Sequence, residues 1–242
     1  MVGDLDNKFN SHEINNLINS DSIHLFSGIR GGHQKYLNKL RKKKIHNCIL
    51  FMESPSLYGK KIKKTIKQIL YPLLYGYYNL KYGKMFKALF VMGHDAKNIY
   101  SRYGWNKNKI FEFIYLPKTN LPLKPNSNKN DLSMVKGLYI GRFDFETKGL
   151  NILMKSIDLI HPKNDWEIDF VGGYGKNKDE VIEWCLKNEN VNFLGTWSYD
   201  CVVNNMAHYD FCIVPSLYDG WNMAPLQSIN AAIGCIVSNN AG

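Results

Sequence analysis

Short apolar runs and amphipathic stretches alternate along the second half of the sequence. Apolar runs bounded by glycine or polar residues are typical of buried parallel strands, which we predict at Gly137–Gly141, Glu167–Gly173, Val191–Gly195, Phe211–Ser216 and Cys235–Ser238. Apolar residues at helical spacing predict the intervening helices Lys148–Ile160, Lys176–Asn188, Cys201–His208 and Ala224–Ile233. This alternation with short loops predicts a doubly wound parallel sheet.

The first half has the same alternation in weaker form. Its predicted strands are Ser22–Phe26, Asn47–Met52, Ala88–Met92 and Ile110–Tyr115. Its predicted helices are Tyr36–Lys43, Lys60–Tyr75 and Ala96–Tyr103. The fold class is therefore α/β, with two Rossmann-like domains of parallel strands.

Charge divides the chain at the same place as the pattern. Up to Lys118 there are 21 Lys and Arg against 7 Asp and Glu, whereas the remainder has 10 against 14. The residues between the two halves are rich in Pro and Asn, which is typical of a linker. We predict a first domain at 1–118, a linker at 119–134 and a second domain at 135–242.

Composition excludes several classes of protein. No apolar run of about 18 residues occurs, so no membrane span is predicted, and the first 20 residues show no signal peptide. The five cysteines occur singly in apolar segments, which predicts buried thiols in a reducing, cytoplasmic compartment. Neither cysteines nor histidines have metal-ligand spacing, so no metal site is predicted.

Two cations follow the first strand of the second domain. Arg142 stands directly after that strand and Lys148 is predicted to open the next helix. A guanidinium forks phosphate oxygens and a lysine supplies a point charge, so the pair suits a diphosphate. Taken alone, the same two residues are also typical of an ordinary solvated loop.

Three further features fall at the carboxyl ends of predicted strands, where ligands of such sheets bind. Glycines from Gly172 to Gly175 follow the second strand. Asp219, the segment Gly220-Trp221-Asn222-Met223 and Gln227 lie where a loop leads into a helix, which predicts an anion site at the helix terminus. The last feature is the small-residue loop 238–242.

The order and spacing of these features resemble the donor domain of retaining family 4 glycosyltransferases, which have the two-domain GT-B fold. The resemblance covers about Lys136–Gly242. It implies two domains facing a cleft and a nucleotide-sugar donor held by Arg142 and Lys148, with Gly172 and the amides of the helix from Gly220 beside it. It also implies a metal-independent reaction, with no cofactor besides the donor substrate.

The resemblance further assigns two acidic positions of the family to this chain. Asp219 would lie near the sugar as a catalytic residue, and Gln227 near the ribose; the family has glutamate at both. In the first domain, Glu53 at the end of a strand is the candidate that faces the sugar, and His94 is a second candidate. For each of these two, a simple capping role in the loop is the alternative.

The resemblance also implies that both ends of the chain are cut short. The family's first domain opens with a strand and a glycine-rich loop, and nothing before Ser22 resembles them. The family continues beyond the position of Gly242. Each domain is therefore expected to be partial.

A basic amphipathic segment occupies the first half. Between Lys35 and Lys67 there are eleven basic residues and one acid. Isoleucines and leucines form one helical stripe opposite the lysines of 60–67: Ile62, Ile66, Ile69, Leu70 and Leu73. This pattern is typical of an interfacial helix and predicts peripheral binding to an anionic membrane, at the inner face of the cell membrane. The alternative is a surface helix with its apolar stripe in the domain core.

The function predicted from the sequence is glycosyl transfer to a saccharide or lipid-linked acceptor, as in cell-surface polysaccharide synthesis. Three alternatives stay open: an inactive nucleotide-binding or partner-binding remnant, a sugar-nucleotide epimerase of the same fold, and a nucleic-acid-binding protein. The last is the most distant, because no motif of a known nucleic-acid-binding module is present.

Overall fold

The chain divides into two units, Met1–Ile114 and Tyr115–Gly242. The computed structural model describes residues 16, 18, 22–57, 59, 61–93, 95–115, 134–160 and 165–241. The predicted linker lies outside the described residues except for Met134, and His94 lies outside them too.

Four parallel strands form the sheet of the first unit, in the order β1-β2-β3-β4. They are β1 (His24–Ser27), β2 (Cys48–Glu53), β3 (Phe86–Met92) and β4 (Ile110–Glu112). The connecting helices are α1 (Gly32–Lys42), α2 (Lys61–Tyr82) and α3 (Ala96–Arg102). Each connection leads to the adjacent strand, always in the same direction across the sheet. Because such crossovers are right-handed, the three helices lie on one face of the sheet.

The core of the first unit lies between that face and the helices. Leu50 of β2, Leu89 of β3 and Ile110 of β4 are buried in one cluster with Leu40 of α1 and Tyr100 of α3. Alternate side chains of the strands lie on the other face, where neighbouring rings are 5.1–6.0 Å apart between centroids: Phe51, Phe90, Phe111 and Phe113.

Helix α2 extends beyond its predicted end at Tyr75 and passes through Pro72. Tyrosines hold the part after the proline against α1. Gln34 Nε2 donates to Tyr78 Oη at 2.9 Å, and Tyr82 Oη donates to Asn38 Oδ1 at 2.9 Å. These tertiary contacts explain why the helix continues past a residue that usually ends one.

The apolar stripe of α2 does not enter the core, so the alternative interpretation of this helix is wrong. Five of its side chains are exposed: Ile62, Ile66, Ile69, Leu70 and Leu73. The buried side chains are Tyr75, Tyr78 and Tyr82, which come from the later part of the helix and fill the space beside α1.

Five parallel strands form the sheet of the second unit, in the order β7-β6-β5-β8-β9. They are β5 (Val135–Ile140), β6 (Trp166–Val171), β7 (Val191–Phe193), β8 (Phe211–Val214) and β9 (Gly234–Val237). The helices are α4 (Phe145–Lys148), α5 (Leu150–Asp158), α6 (Lys178–Lys187), α7 (Tyr199–Asn205) and α8 (Met223–Asn230).

Both faces of this sheet are covered. Helices α5 and α6 bury Leu153 and Val181 on one face, together with Phe170 of β6. Helices α7 and α8 bury Val202 and Ala224 on the other. The strands accordingly have the continuous apolar character that the sequence showed.

The helix predicted at Lys148–Ile160 is broken at its start. Gly149 adopts a left-handed conformation with φ of 66° and separates α4 from α5, so Lys148 ends a short helix instead of opening a long one. A Cβ at position 149 would lie 2.2 Å from the carbonyl oxygen of Pro215. The break therefore brings the end of α4 against the loop that follows β8.

The cysteines are all free thiols. Cys48, Cys185 and Cys212 are buried as predicted, whereas Cys201 and Cys235 are half-buried. Burial raises the pKa of Cys48 to about 11 and that of Cys185 to about 12, so both thiols are protonated at neutral pH.

Replacing Gly149 with alanine should destabilise the second unit far more than the same change at Gly195. Both glycines have left-handed backbone, with φ of 66° and 74°, but no atom lies within 4 Å of a Cβ built at Gly195. The conformational cost, about 1–2 kcal/mol, is common to both. The clash at Gly149 should add about 1–3 kcal/mol in urea unfolding. Equal losses of stability in the two variants would contradict the close packing of Gly149 on Pro215.

Candidate functional site

The candidate site lies at the carboxyl edge of the second sheet, between β5 and β8. The chain leaves β5 towards β6 and β7 on one side, then returns to build β8 and β9 on the other. In an open parallel sheet, this reversal leaves a crevice outside the carboxyl ends of the two strands, and ligands bind there. The segments at this place are 141–149 and 215–223.

An ion pair joins these two segments. Lys148 Nζ donates to Asp219 Oδ2, and the two side chains are only 13% and 15% exposed. The sequence analysis predicted a diphosphate-binding role for the first residue and a catalytic role for the second, without pairing them. In this structure each neutralises the charge of the other.

Two more donors reach the same carboxylate oxygen. Asn222 Nδ2 lies 2.7 Å from Asp219 Oδ2, and the buried Ser216 donates its hydroxyl to that oxygen at 3.2 Å. A buried charge is tolerated when such hydrogen bonds compensate for lost hydration. Three donors therefore fix the position of the Asp219 carboxylate.

Backbone hydrogen bonds hold the surrounding loops in place. The carbonyl oxygen of Thr147 accepts from the amides of Leu217 and Tyr218, at 2.8 and 3.0 Å. The Asp219 amide donates to the carbonyl oxygen of Asn240 at 3.0 Å, which ties in the loop after β9. The end of α4 and the loops after β8 and β9 thus form one connected edge.

Arg142 presents its charge to solvent. Its side chain is exposed and makes no hydrogen bond or ion pair with any described residue. Its carbonyl oxygen accepts from the Tyr139 hydroxyl at 2.8 Å. Burial raises the pKa of Tyr139, the Asp219 carboxylate raises it further and the Arg142 guanidinium opposes the rise. Both charges thus act on one buried hydroxyl, which stays protonated as a donor.

The glycines after β6 pack against the loop after β5. A Cβ at Gly172 would lie 2.3 Å from the carbonyl oxygen of Gly141, and one at Gly175 would lie 2.2 Å from that of Phe143. The Phe143 amide donates to the Tyr174 carbonyl oxygen at 2.9 Å. Close backbone packing alone therefore accounts for glycine at these positions, and ligand contact at Gly172 stays a prediction.

Helix α8 begins at Met223, one residue before the predicted start at Ala224, so Gly220 lies in the loop before the helix and not in the helix, as the resemblance had implied. Asn222 caps it, with its side-chain oxygen accepting from the Ala224 amide at 3.0 Å. Pro225 has no N–H group, so among the first three residues of the helix only Met223 has an amide left for a ligand. The anion site at this helix terminus is weaker than the sequence indicated, because the cap and the proline remove two donors.

The other predicted donor-site residues lie along the same edge. Gly220 is buried and Trp221 half-buried, and both belong to the loop before α8. Gln227 lies on the second turn of α8 and is half-buried. The contribution of each to ligand binding stays a prediction.

Glu53 lies at the carboxyl edge of the first sheet, as the last residue of β2. Its side chain is exposed, and its carbonyl oxygen accepts from the Tyr100 hydroxyl at 2.7 Å. The residue is thus accessible at the predicted strand end, while its catalytic role stays a prediction.

Sequence reasoning missed a glycine-rich loop in the first unit. Gly28, Gly31 and Gly32 follow β1 and lead into α1, with φ of 121° at Gly28 and 65° at Gly31. The sequence analysis compared only the residues before Ser22 with the family's opening strand and glycine-rich loop, whereas β1 and this loop come after that residue. The signal was two adjacent glycines between an apolar run and a helical stretch.

A comparison with sequence families finds a match within the second unit. Residues 135–242 match the family described as Glycosyl transferases group 1. The resemblance inferred from the sequence is confirmed over those residues. A sequence comparison with curated proteins finds no match.

Solved structures match the fold across both units. A trehalose-6-phosphate protein from E. coli bound with UDP-2-fluoro glucose matches with a TM-score of 0.67, 13% identity and coverage of 95% of this chain and 61% of that one. An alpha,alpha-trehalose 6-phosphate synthase from Burkholderia multivorans matches with a TM-score of 0.68, 10% identity and coverage of 95% and 60%. A mutant of S. aureus TarM in complex with UDP matches with a TM-score of 0.59, 14% identity and coverage of 81% and 38%.

These matches confirm the predicted fold class, an α/β fold with two parallel sheets as in GT-B glycosyltransferases. The chain spans about three fifths of the length of the trehalose-6-phosphate structures that it matches.

Replacing Lys148 with methionine should lower the free energy of unfolding by about 2 kcal/mol or more, because the Asp219 charge would remain buried without its partner. Lys187→Met is the matched control. Lys187 pairs with Glu183 at 2.6 Å, but both side chains are largely exposed, and such pairs contribute about 0.3–0.5 kcal/mol. Urea unfolding of both variants measures the difference. A loss at Lys148 as small as that at Lys187 would show that the pair does not stabilise the fold.

Proposed function

We propose that this chain transfers a sugar from a nucleotide-sugar donor to a saccharide or lipid-linked acceptor, as in cell-surface polysaccharide synthesis. The family match over residues 135–242 and the two-unit fold support the reaction class. The observation that carries the donor assignment is the placement of Arg142 and Lys148 at the reversal point of the second sheet. The anomeric configuration would be retained, as the family resemblance implies.

Arg142 would supply most of the charge that holds the donor diphosphate. Its guanidinium is exposed and unpaired within the described residues, so it can fork phosphate oxygens. Lys148 has its charge offset by Asp219, and its remaining N–H groups would add weaker contacts. The amides of the 220–223 loop would complete the site, and Gln227 would accept a hydrogen bond from a ribose hydroxyl.

We propose that no metal ion or cofactor takes part. Cationic side chains and loop amides would then balance the charge that the diphosphate gains as the bond to the sugar breaks. Positive charge develops at the anomeric carbon at the same time. Asp219, fixed in position by Lys148, Asn222 and Ser216, would be the catalytic carboxylate of the second unit beside that carbon. Glu53 would be the catalytic carboxylate of the first unit.

The proposed setting is the cytoplasm, with the protein bound peripherally at the inner face of the cell membrane. No helix in the described parts of the chain has the length and apolar character required to cross a bilayer. A lipid-linked acceptor would be met at that surface. Nucleic acid is not a proposed partner.

A catalytically inactive nucleotide-binding protein is the second candidate function. The observation that favours it is the ion pair itself, since Lys148 and Asp219 occupy each other in the structure. Incubation with a panel of nucleotide sugars and acceptors, followed by mass spectrometry, separates the two. A glycosylated product or a released sugar supports transfer, and nucleotide binding without either supports the second candidate.

Arg142→Ala should weaken diphosphate binding about tenfold to a hundredfold, because a charge-assisted hydrogen bond contributes about 1.5–3 kcal/mol. Lys148→Ala should have a smaller effect, since Asp219 already offsets its charge. Calorimetry with UDP, GDP and ADP measures both, and uncharged nucleosides should bind the parent and the variants alike.

Lys187→Ala is the control for this experiment. Lys187 ends α6, which starts at the carboxyl edge of the sheet and runs to the opposite edge, so it should leave nucleotide affinity unchanged. If Arg142→Ala binds as tightly as this control, the donor-site assignment is wrong. If the parent binds none of the three nucleotides, the proposed donor function is wrong for this chain.

A further inference from the structure

Helix α2 has a second apolar face that no part of the described chain covers. Large apolar side chains are exposed along one side of the helix: Ile62, Ile66, Ile69, Leu70, Leu73, Tyr77 and Leu80. At 100° per residue they fall within an arc of about 100°, and at 1.5 Å per residue they extend over about 27 Å. We call these seven residues the outer stripe. Its two ends, Ile62 and Leu80, are 75% and 86% exposed.

The outer stripe lies opposite the face that holds α2 in place. Tyr75, Tyr78 and Tyr82 are buried against the core, about half a turn away from Ile62 and Leu80. Tyrosines therefore pack one side of α2 against the core, whereas the isoleucine and leucine side chains on the other side stay exposed. A contiguous apolar surface of this kind on a folded unit marks a site of interaction.

Positive charge accompanies the outer stripe. Helix α2 contains no Asp or Glu, and by helical geometry Lys63, Lys67 and Lys81 lie along one flank of the stripe. The Lys81 ammonium lies 5.4 Å from the centre of the Tyr77 ring, so cation and apolar surface adjoin. Lys84 and Lys87 are exposed in the segment that follows the helix.

We propose that the outer stripe lies in the headgroup and upper acyl region of an anionic bilayer, with the flanking lysines at the lipid phosphates. An apolar face bordered by lysines on a helix too polar to span is typical of a helix lying in the plane of the membrane. The inference deepens the proposed function and rests on it for the acceptor, since it specifies the surface on which a lipid-linked acceptor would be met.

Charge argues for a bilayer and against a second copy of the chain. Two copies that paired through the stripe would bring their lysine flanks together, and residues 1–118 carry 21 basic against 7 acidic side chains. Like charges brought together oppose such pairing, whereas anionic lipids attract them. The sequence analysis placed the contact at Lys60–Lys67 and its apolar stripe; the present proposal extends it to Leu80, because Tyr77 and Leu80 are exposed on the same side of the helix.

The test is flotation of the whole chain with vesicles of 30% phosphatidylglycerol and 70% phosphatidylcholine. The parent should bind them, and it should bind pure phosphatidylcholine at least tenfold more weakly. The double variant Ile69→Gln, Leu73→Gln should lose binding at least tenfold. Its matched control is Leu159→Gln, Leu186→Gln, which alters two leucines of the second unit that are 85% and 80% exposed and should bind like the parent.

Each of three results would overturn the proposal: no binding by the parent, equal binding by the double variant and its control, or a parent dimer in sedimentation that the double variant abolishes. All four substituted positions are exposed, so we expect both variants to fold like the parent. Thermal unfolding checks this. Nucleotide calorimetry on the same preparations separates the two proposals. Vesicle binding without nucleotide binding rejects only the donor function, and nucleotide binding without vesicle binding rejects only the membrane surface.

Discussion

The ion pair between Lys148 and Asp219 is the interaction on which the candidate site depends. It joins the segment after β5 to the segment after β8, the two strands that border the crevice. Removing two charges from water is costly, and the cost is met here by additional donors from Asn222 and Ser216. The left-handed turn at Gly149 makes the approach possible, because a side chain there would meet the backbone of Pro215. The left-handed conformation of Gly149, its packing on Pro215 and the ion pair thus depend on one another at this edge of the sheet.

Because of this ion pair, Lys148 and Arg142 would contribute differently to the proposed donor site. A lysine whose charge is neutralised by a neighbouring carboxylate attracts a further anion only weakly. Its main effect is to hold that carboxylate in position. The exposed Arg142 has its charge available, so in the proposed donor site the attraction for a diphosphate would fall mainly on it. The three donors also fix the position of the Asp219 carboxylate, as the role proposed for it requires.

Local patterns predicted most elements of the second unit, because buried parallel strands and amphipathic helices have distinct periods. They failed where a contact distant in sequence decides the conformation. Helical spacing continues on both sides of Gly149, so only the approach of Pro215 reveals the break. The ion pair joins positions 71 residues apart, and the pattern placed both residues at the edge without pairing them. The weaker helix terminus at Met223 was readable in principle, since Asn222 and Pro225 are both visible in the sequence.

Helix α2 shows why periodicity alone leaves the orientation of a helix open. A stripe of isoleucine and leucine is the strongest apolar signal in this helix, yet tyrosines fill the core and the stripe stays outside. Tyrosine combines a large apolar ring with a hydroxyl, so Tyr78 and Tyr82 can bury their rings and still bond to Gln34 and Asn38 of α1. Isoleucine and leucine have no such group to align the helices. The polar contacts therefore select which of the two apolar faces is buried, and the face that remains outside, bordered by lysine, is left to interact with the surroundings of the protein.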